Sequence, residues 1–311
     1  MNGRPVDVSV LIVSWNAGKL LAPAVASLPP TMGPYTFEAI VVDNASTDGS
    51  ALGLPGAPWL RVVHLPVNVG FAAGTNRAAE EARGRYLLLL NPDTACTPGA
   101  IAELVRLADA TPNLAAVGPR LRHGDGRLQR SCWRGFPGLL AAAVDAFYLW
   151  KLPSLPVVRH SEVALAEVHA PIPVDHLLGA CMLIPNAVWR AVGPLDAGYF
   201  LFSEETDWCR RARRAGLTIL YDPAAEVVHY GEHSVNQVPE TSRSQYYRSY
   251  VRFVRQSPAA RPTIWALKLI MAAGTVVRLG LWTVRRGGSS RRLADGMLRG
   301  YARVLAEVAG Y

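Results

Sequence analysis

The sequence predicts an α/β fold, a mostly parallel sheet flanked by helices, followed by a basic helical extension. Three observations predict it. Short apolar runs rich in β-branched residues or leucine recur through residues 8–90, and each stops at a polar cluster, as buried parallel strands do. Segments with helical apolar spacing alternate with those runs, the pattern of strand–helix–strand crossovers. The charge is also divided unevenly. Residues 1–240 hold 19 basic and 22 acidic side chains, whereas residues 241–311 hold 13 and 2. The formal net charge of +8 is therefore a body of −3 joined to a tail of +11, and no nucleic-acid partner is expected for such a body.

The elements follow in order. VDVSVLIVSWN reads as a strand that stops at Ser14-Trp15-Asn16, and Ala17–Leu28 as a helix ended by Pro29-Pro30. Glu38–Val42 is a second strand running into DNASTDGS, Leu60–Leu65 a third, Gly70–Arg83 a helix and Tyr86–Leu90 a fourth strand closing on Asn91-Pro92-Asp93-Thr94. Pro98–Asp109 is helical, with Thr97 or Thr94 as its expected cap. Residues 120–172 mix Gly, Pro and Arg with scattered apolar residues, and read as long loops with one helix near Leu139–Leu149. Regular signals return as a strand at Val174–Ile184, helices at Asn186–Val192 and Glu204–Ala215, and two short strands within Leu217–His229. A catalytic body over 1–240, with halves of about 1–120 and 121–240, is expected to precede a tail over 241–311.

The tail reads as basic amphipathic helices. SQYYRSYVRFVRQ mixes aromatics with arginines, and Thr263–Val284 is long enough to cross a bilayer. Lys268 and Arg278 leave only nine uncharged residues between them, and a charge near a bilayer centre costs about 3 kcal/mol. Contact with a membrane surface is the expectation, since apolar burial then adds to attraction for anionic lipid. The four cysteines, Cys96, Cys132, Cys181 and Cys209, form no CxxC pair. They suggest neither a thiolate zinc site nor a disulfide framework. With no secretory signal pattern at Val8–Val13, the expected place is the cytoplasm, peripherally on the inner face of the cell membrane.

Ligands of open parallel sheets bind beyond the carboxyl ends of the strands. Four strand ends here carry polar clusters: Ser14 with Asn16, Asp43 with Asn44, Asn68, and Asn91 with Asp93. Asp43 can accept from a base imide or a ribose hydroxyl. Asp93, held at the end of a buried leucine strand, suits a hard cation that bridges protein to phosphates. Gly70 and Gly74 are spaced G-x-x-x-G, which is not the dinucleotide fingerprint, and no Walker A sequence occurs. Glu204, Glu205 and Asp207 follow an aromatic strand end. Neighbouring carboxylates and apolar walls raise a carboxyl pKa, which suits a general base near neutral pH. His229 ends a strand and can complete a metal site with Asp93.

In the order VSWN, VVDNASTDGS, NVGFAAGTNRA, LLLLNPDT, GACMLIP, GPLDAGYFLFSEETDWCRRARRAG and VVHYGEHS, residues of about 6–235 resemble a family 2 glycosyltransferase of the GT-A fold. The nearest subgroup is similar to bacterial rhamnosyltransferases of cell-wall and surface-polysaccharide assembly. The resemblance implies a nucleotide-sugar donor, with dTDP-rhamnose the best guess, and a lipid-linked or polysaccharide acceptor. It implies that Ser14, Asn16, Asp43, Asn44, Asn68, Gly70, Phe71, Asn76, Asn91 and Asp93 line the donor site, and that Asp93 and His229 hold a divalent metal, Mg2+ or Mn2+. It places Gly179, Ala180 and Trp208 near the acceptor. Asn91 stands where the family has a first aspartate. Glu205 stands where the family has an aspartate base, with Glu204 and Asp207 as fallbacks, and the chemistry is inverting. Two other classes remain open at this point. One is a nucleotidyltransferase, poorly matched by the single Gly and Lys of VSWNAGKLL; the other is a non-catalytic nucleotide-binding membrane scaffold.

Overall fold

In the computed structural model, residues 5–133, 135–152, 165–231, 239–256, 260–285 and 291–310 are described. The chain divides into two compact units. A sheet unit comprises 1–133, 164–198 and 204–233, and a helical unit comprises 134–163, 199–203 and 234–311. The tail is thus one part of the helical unit, which also takes in two earlier segments.

The sheet unit opens with β1 (Val8–Ser14), β2 (Phe37–Asp43), β3 (Leu60–His64) and β4 (Tyr86–Leu90), ordered β3-β2-β1-β4 and all parallel. Every residue of β1 and β4 is buried, as their continuous apolar sequences require. Between β3 and β4 runs α2 (Phe71–Glu81). The Ala17–Leu28 segment forms a 3-10 turn and then α1 (Leu21–Ala26). The helix predicted from Pro98 is α3 (Ala100–Ala110). It is capped by Gly99 in the left-handed region, φ 77°, and not by a threonine. Thr94 and Thr97 instead donate to the carbonyls of Asn91 and Glu226.

Beyond β4 the sheet is mixed. β11 (Cys181–Pro185) runs antiparallel to β4 and to β6 (Leu114–Arg122), and β12 (Thr218–His229) runs parallel to β6. The short strands β5 (Thr94–Cys96) and β9 (Ile172–Val174) pair with β12, and β7 (Leu128–Gln129) pairs with β6. β8 (Cys132–Trp133) and β10 (His176–Leu177) form a separate pair. The strand expected at Val174–Ile184 is therefore three short strands. The two expected in 217–229 are one, with an irregularity between Asp222 and Glu226. Part of the expected 120–172 loop is sheet, because β6 continues to Arg122 and β7 returns against it. The helices α5 (Asn186–Val192) and α6 (Glu204–Arg214) match expectation. All four cysteines are buried and none is in a disulfide.

Antiparallel β11 enters where parallel β4 leaves. Cys181 lies opposite Leu90, and Asn91 N–H donates to the Ala180 carbonyl at 2.9 Å. β12, parallel to β6, ends in register with β5, so that His229 faces Thr94. The carboxyl ends of β1, β2, β3, β4 and β12 and the start of β11 thereby share one edge.

The opposite edge is pinned. Ser9 Oγ donates to Glu38 at 2.7 Å and accepts from Gly84 N–H at 2.8 Å. The Arg83 guanidinium closes on the same carboxylate at 2.6 Å. Burial opposes the Glu38 charge, yet the hydrogen bonds from Arg83 and Ser9 hold its carboxyl below the ordinary value. A side chain at Gly84 would meet Ser9 N at 2.5 Å, so only glycine lets β1 and the approach to β4 come this close.

The helical unit contains α4 (Leu139–Ala146), α7 (Pro239–Arg255), α8 (Ala260–Arg285) and α9 (Arg291–Gly310). Tyr247, Tyr250, Val254, Leu267, Met271 and Val304 form its core. Gly274 lets α8 approach α4, since a Cβ there would lie within 3 Å of the Ala146 backbone. The buried Arg278 pairs with Asp145 at 3.1 Å and donates to the Asp145 and Ala146 carbonyls and to Tyr301 Oη.

Candidate active site

The donor side of the edge is built from loops that hydrogen-bond to one another. Asp43 ends β2. One carboxylate oxygen accepts from Ser46 N–H at 3.0 Å, and the other is 2.9 Å from His64 Nδ1 at the end of β3. His64, half exposed at the end of the expected third strand, was not among the site residues expected from sequence. Asn16 adopts the left-handed region at φ 49° and accepts from Thr47 N–H. It thereby ties the β1 loop to the loop after Asp43.

Asn44 is buried and bridges to the next loop. It accepts from Val69 N–H and donates to Asn68 Oδ1 and the Gly70 carbonyl. Asn68 in turn accepts from Gly70 N–H. Both amide atoms of Asn44 and the Oδ1 of Asn68 are thereby engaged by the scaffold. Gly70, at φ 87°, turns the chain into α2, where Phe71 is the first residue. Asn76 makes two hydrogen bonds to the Leu195 backbone, at 2.8 and 3.0 Å. Its amide is a clamp between loop and helix. Ser14 is fully buried at the end of β1, with no hydrogen-bond partner for its hydroxyl.

The metal candidates converge. His229 Nε2 lies 3.3 Å from Asp93 Oδ1. The opposite ring nitrogen, Nδ1, is 2.9 Å from Gln129 Oε1 on β7. An amide oxygen only accepts, so Nδ1 carries the proton, and in the neutral imidazole Nε2 offers its lone pair on the Asp93 side. Two acceptors facing each other at this distance are spaced like two ligands of one hard cation. Asn91 Nδ2 also lies 3.3 Å from Nε2. Among the described residues no cluster of three His, Cys, Asp or Glu side chains could hold a metal. The pair fits a cation that takes its remaining ligands from phosphate and water. Gln129 was invisible in the sequence because it stands on a two-residue strand inside a stretch that reads as loop.

The carboxylates lie in the first turn of α6. Glu205 accepts backbone hydrogen bonds, Gly179 N–H among the donors, but burial outweighs them and pushes its carboxyl up to about 7. Glu204 is buried with no partner for Oε2, and burial followed by the Glu205 charge raises its pKa well above the ordinary value. Gly179 packs directly on Glu205, since a Cβ there would stand 3.3 Å from Glu205 Cγ. Asp207 is different, being paired with Arg210 at 2.7 Å and Arg211 at 2.9 Å on its own helix. Trp208, expected near the acceptor, is fully buried. It stacks on Trp189 and donates to the Gly193 carbonyl. It is a core residue, because position 208 lies on the inward face of α6.

Residues 9–135 match the family model described as glycosyl transferase family 2. The chain is 28% identical over 298 residues to the N-acetylglucosaminyl-diphospho-decaprenol L-rhamnosyltransferase of Mycobacterium tuberculosis, covering 89% of this chain and 95% of the relative. The protein is a glycosyltransferase whose residues 9–135 match the family 2 model. This glycosyltransferase is also 24% identical to the low-salt glycan biosynthesis hexosyltransferase Agl10 of Haloferax volcanii, over 79% of this chain and 73% of that one. Two solved structures share the fold. GalNAc-T7, solved with UDP, GalNAc and Mn2+, superposes with a TM-score of 0.56 over 82% of this chain and 48% of that longer one, at 17% identity. The mannosyltransferase PcManGT from Pyrobaculum calidifontis, solved with GDP-Man and Mn2+, gives 0.55 over 98% and 89%, also at 17% identity. The GT-A-like architecture expected from the motifs is therefore the architecture of the sheet unit.

Proposed function

We propose that the protein transfers a sugar from a nucleoside-diphosphate donor to a hydroxyl of a lipid-linked or polysaccharide acceptor, with inversion and with Glu205 as general base. The observation that carries this reading is the state of Glu205. It is a buried carboxyl with an affinity for protons near neutrality, packed on the bare backbone of Gly179. Gly179 precedes Ala180, whose carbonyl is bonded to Asn91 beside the Asp93–His229 pair.

In this reading Asp43 holds the base, positioned by Ser46 and His64, and the loops around Gly70 hold the donor. Asp93 and His229 hold the divalent cation, which when bound neutralises charge on the diphosphate leaving group. Glu205 accepts the proton of the acceptor hydroxyl as that oxygen bonds to the anomeric carbon, and the bond from that carbon to the diphosphate oxygen breaks with its electrons leaving on the diphosphate. Asp207, held by two arginine partners, is the weaker fallback for the base. Glu204, whose carboxyl is also raised by burial, sets the electrostatic surroundings of Glu205.

The name of the Mycobacterium tuberculosis relative supports rhamnose as the sugar and a diphospho-polyprenol as the acceptor carrier. A lipid carrier and the basic tail support a cytoplasmic enzyme held peripherally at the inner face of the membrane. The test is a panel of nucleotide-sugars incubated with Mn2+ or Mg2+ and scored for slow donor hydrolysis. The expected result is hydrolysis of dTDP-rhamnose that EDTA abolishes. Hydrolysis untouched by EDTA would overturn the metal role, and preference for another donor would overturn rhamnose.

A further inference from the structure

The long apolar helix α8 contains Lys268 and Arg278, which in sequence argue against burial in lipid. In the helical unit both turn inward, with residue exposures of 3% and 8%. Arg278 is held by Asp145, Tyr301 and the carbonyls of α4. The Lys268 ammonium lies over the ring of Trp265, 4.8 Å from its centroid. α8 packs against α4, α7 and α9 on that inner side. The outer side carries Trp265, Leu269, Val276, Val277 and Leu281, exposed by 43–71%, with Ala273 and Gly280 between them. No charged residue interrupts this outer face from Thr263 to Thr283. The spacing of four, seven, one and four residues follows a single helix face.

We infer that this outer face of α8 is the membrane-embedding surface, and that the helix lies in the plane of an anionic bilayer and does not span it. The inference rests on the membrane placement proposed above and assigns it to named side chains. A lone spanning helix meets lipid on every side and is apolar all round, whereas α8 uses one side to hold two cations and the packed core. A second copy of the chain is the other candidate occupant of an apolar face. The tail disfavours it, because 13 basic against 2 acidic residues in 241–311 repel their own copy and attract anionic lipid.

The experiment is flotation of the full-length protein with phosphatidylcholine vesicles, with and without phosphatidylglycerol. It compares wild type with Leu269→Glu and Val276→Glu, each checked by thermal melting and by donor hydrolysis in solution. Wild type is expected to float with the anionic vesicles and to be released by alkaline carbonate. Each variant should lose roughly tenfold of its partition, with its melting temperature and donor hydrolysis unchanged. Brominated lipids should quench Trp265 more strongly when the bromine is shallow than when it is deep. Wild type that never floats would overturn the membrane placement itself. Wild type and variants that float equally would overturn only the face. Resistance to carbonate would overturn the in-plane orientation, and a concentration-dependent dimer abolished by Leu269→Glu would assign the face to a second copy.

Discussion

In the helical unit the buried guanidinium of Arg278 meets a carboxylate, two backbone carbonyls and a tyrosine hydroxyl. In the sheet unit the buried carboxyl of Glu204 has an oxygen with no partner, and its neighbour Glu205 has backbone amides but no countercharge. One turn of helix from that pair, Asp207 has two arginines. Desolvation acts on all of these groups. Where it is compensated the residue is structural, and where it is left uncompensated the proton affinity moves into the range that acid–base chemistry uses.

The contrast can be broken at several points. The largest effect is expected from Glu205→Gln, which should lower kcat by about a thousandfold while leaving donor binding intact. In the wild type kcat/KM should rise with pH and level off above about 7, as the carboxyl raised by burial loses its proton. A profile without that limb would remove Glu205 as the base. Next is Gln129→Leu, expected to weaken Mn2+ binding in the presence of nucleotide by about 10–100-fold, with Gln129→Glu retaining it. A metal titration in which both variants bind alike would show that the amide does not orient His229.

Smaller effects concern stability. Asp145→Ala removes the countercharge of Arg278 and should cost about 1–2 kcal/mol. That is less than for a fully enclosed pair, because Asp145 is 38% exposed and solvent screens it. Urea unfolding measures it. Glu204→Gln should act in the opposite direction. A carboxyl whose folded pKa is raised contributes stability below its unfolded value, and that stability is lost as pH rises towards the folded value. The variant should therefore melt like wild type below about pH 4.5 and progressively higher than wild type above it. Parallel melting curves at pH 5 and pH 8 would sink this account of Glu204.

Legibility in the sequence followed the same physics. β1, β2, β4 and α2 were readable because burial on both faces, or on one helical stripe, writes a long repeated pattern. Residues 114–122 were not read as a strand because Gly118 and Pro119 look like a turn. Gly118 is there to admit Leu177, which stands 3.0 Å from where a Cβ would be. The carboxylates and the Asp93–His229 pair were readable from residue type at strand and helix ends. His64 and Gln129 were not, since each works through one hydrogen bond to a residue far away in sequence. The direction of Trp208 was not readable either, since only its packing on Trp189 reveals it.

The Ser9–Glu38–Arg83–Gly84 lock has a practical consequence. It fastens β1, β2 and the approach to β4 at the end of the sheet remote from the chemistry. A residue inserted into or removed from the 44–50 or 65–70 loops has no reason to slip the strands, because their alignment is set elsewhere. Those loops are the places to exchange segments when redirecting donor choice, and Ser9, Glu38 and Gly84 are the positions such a library should leave alone.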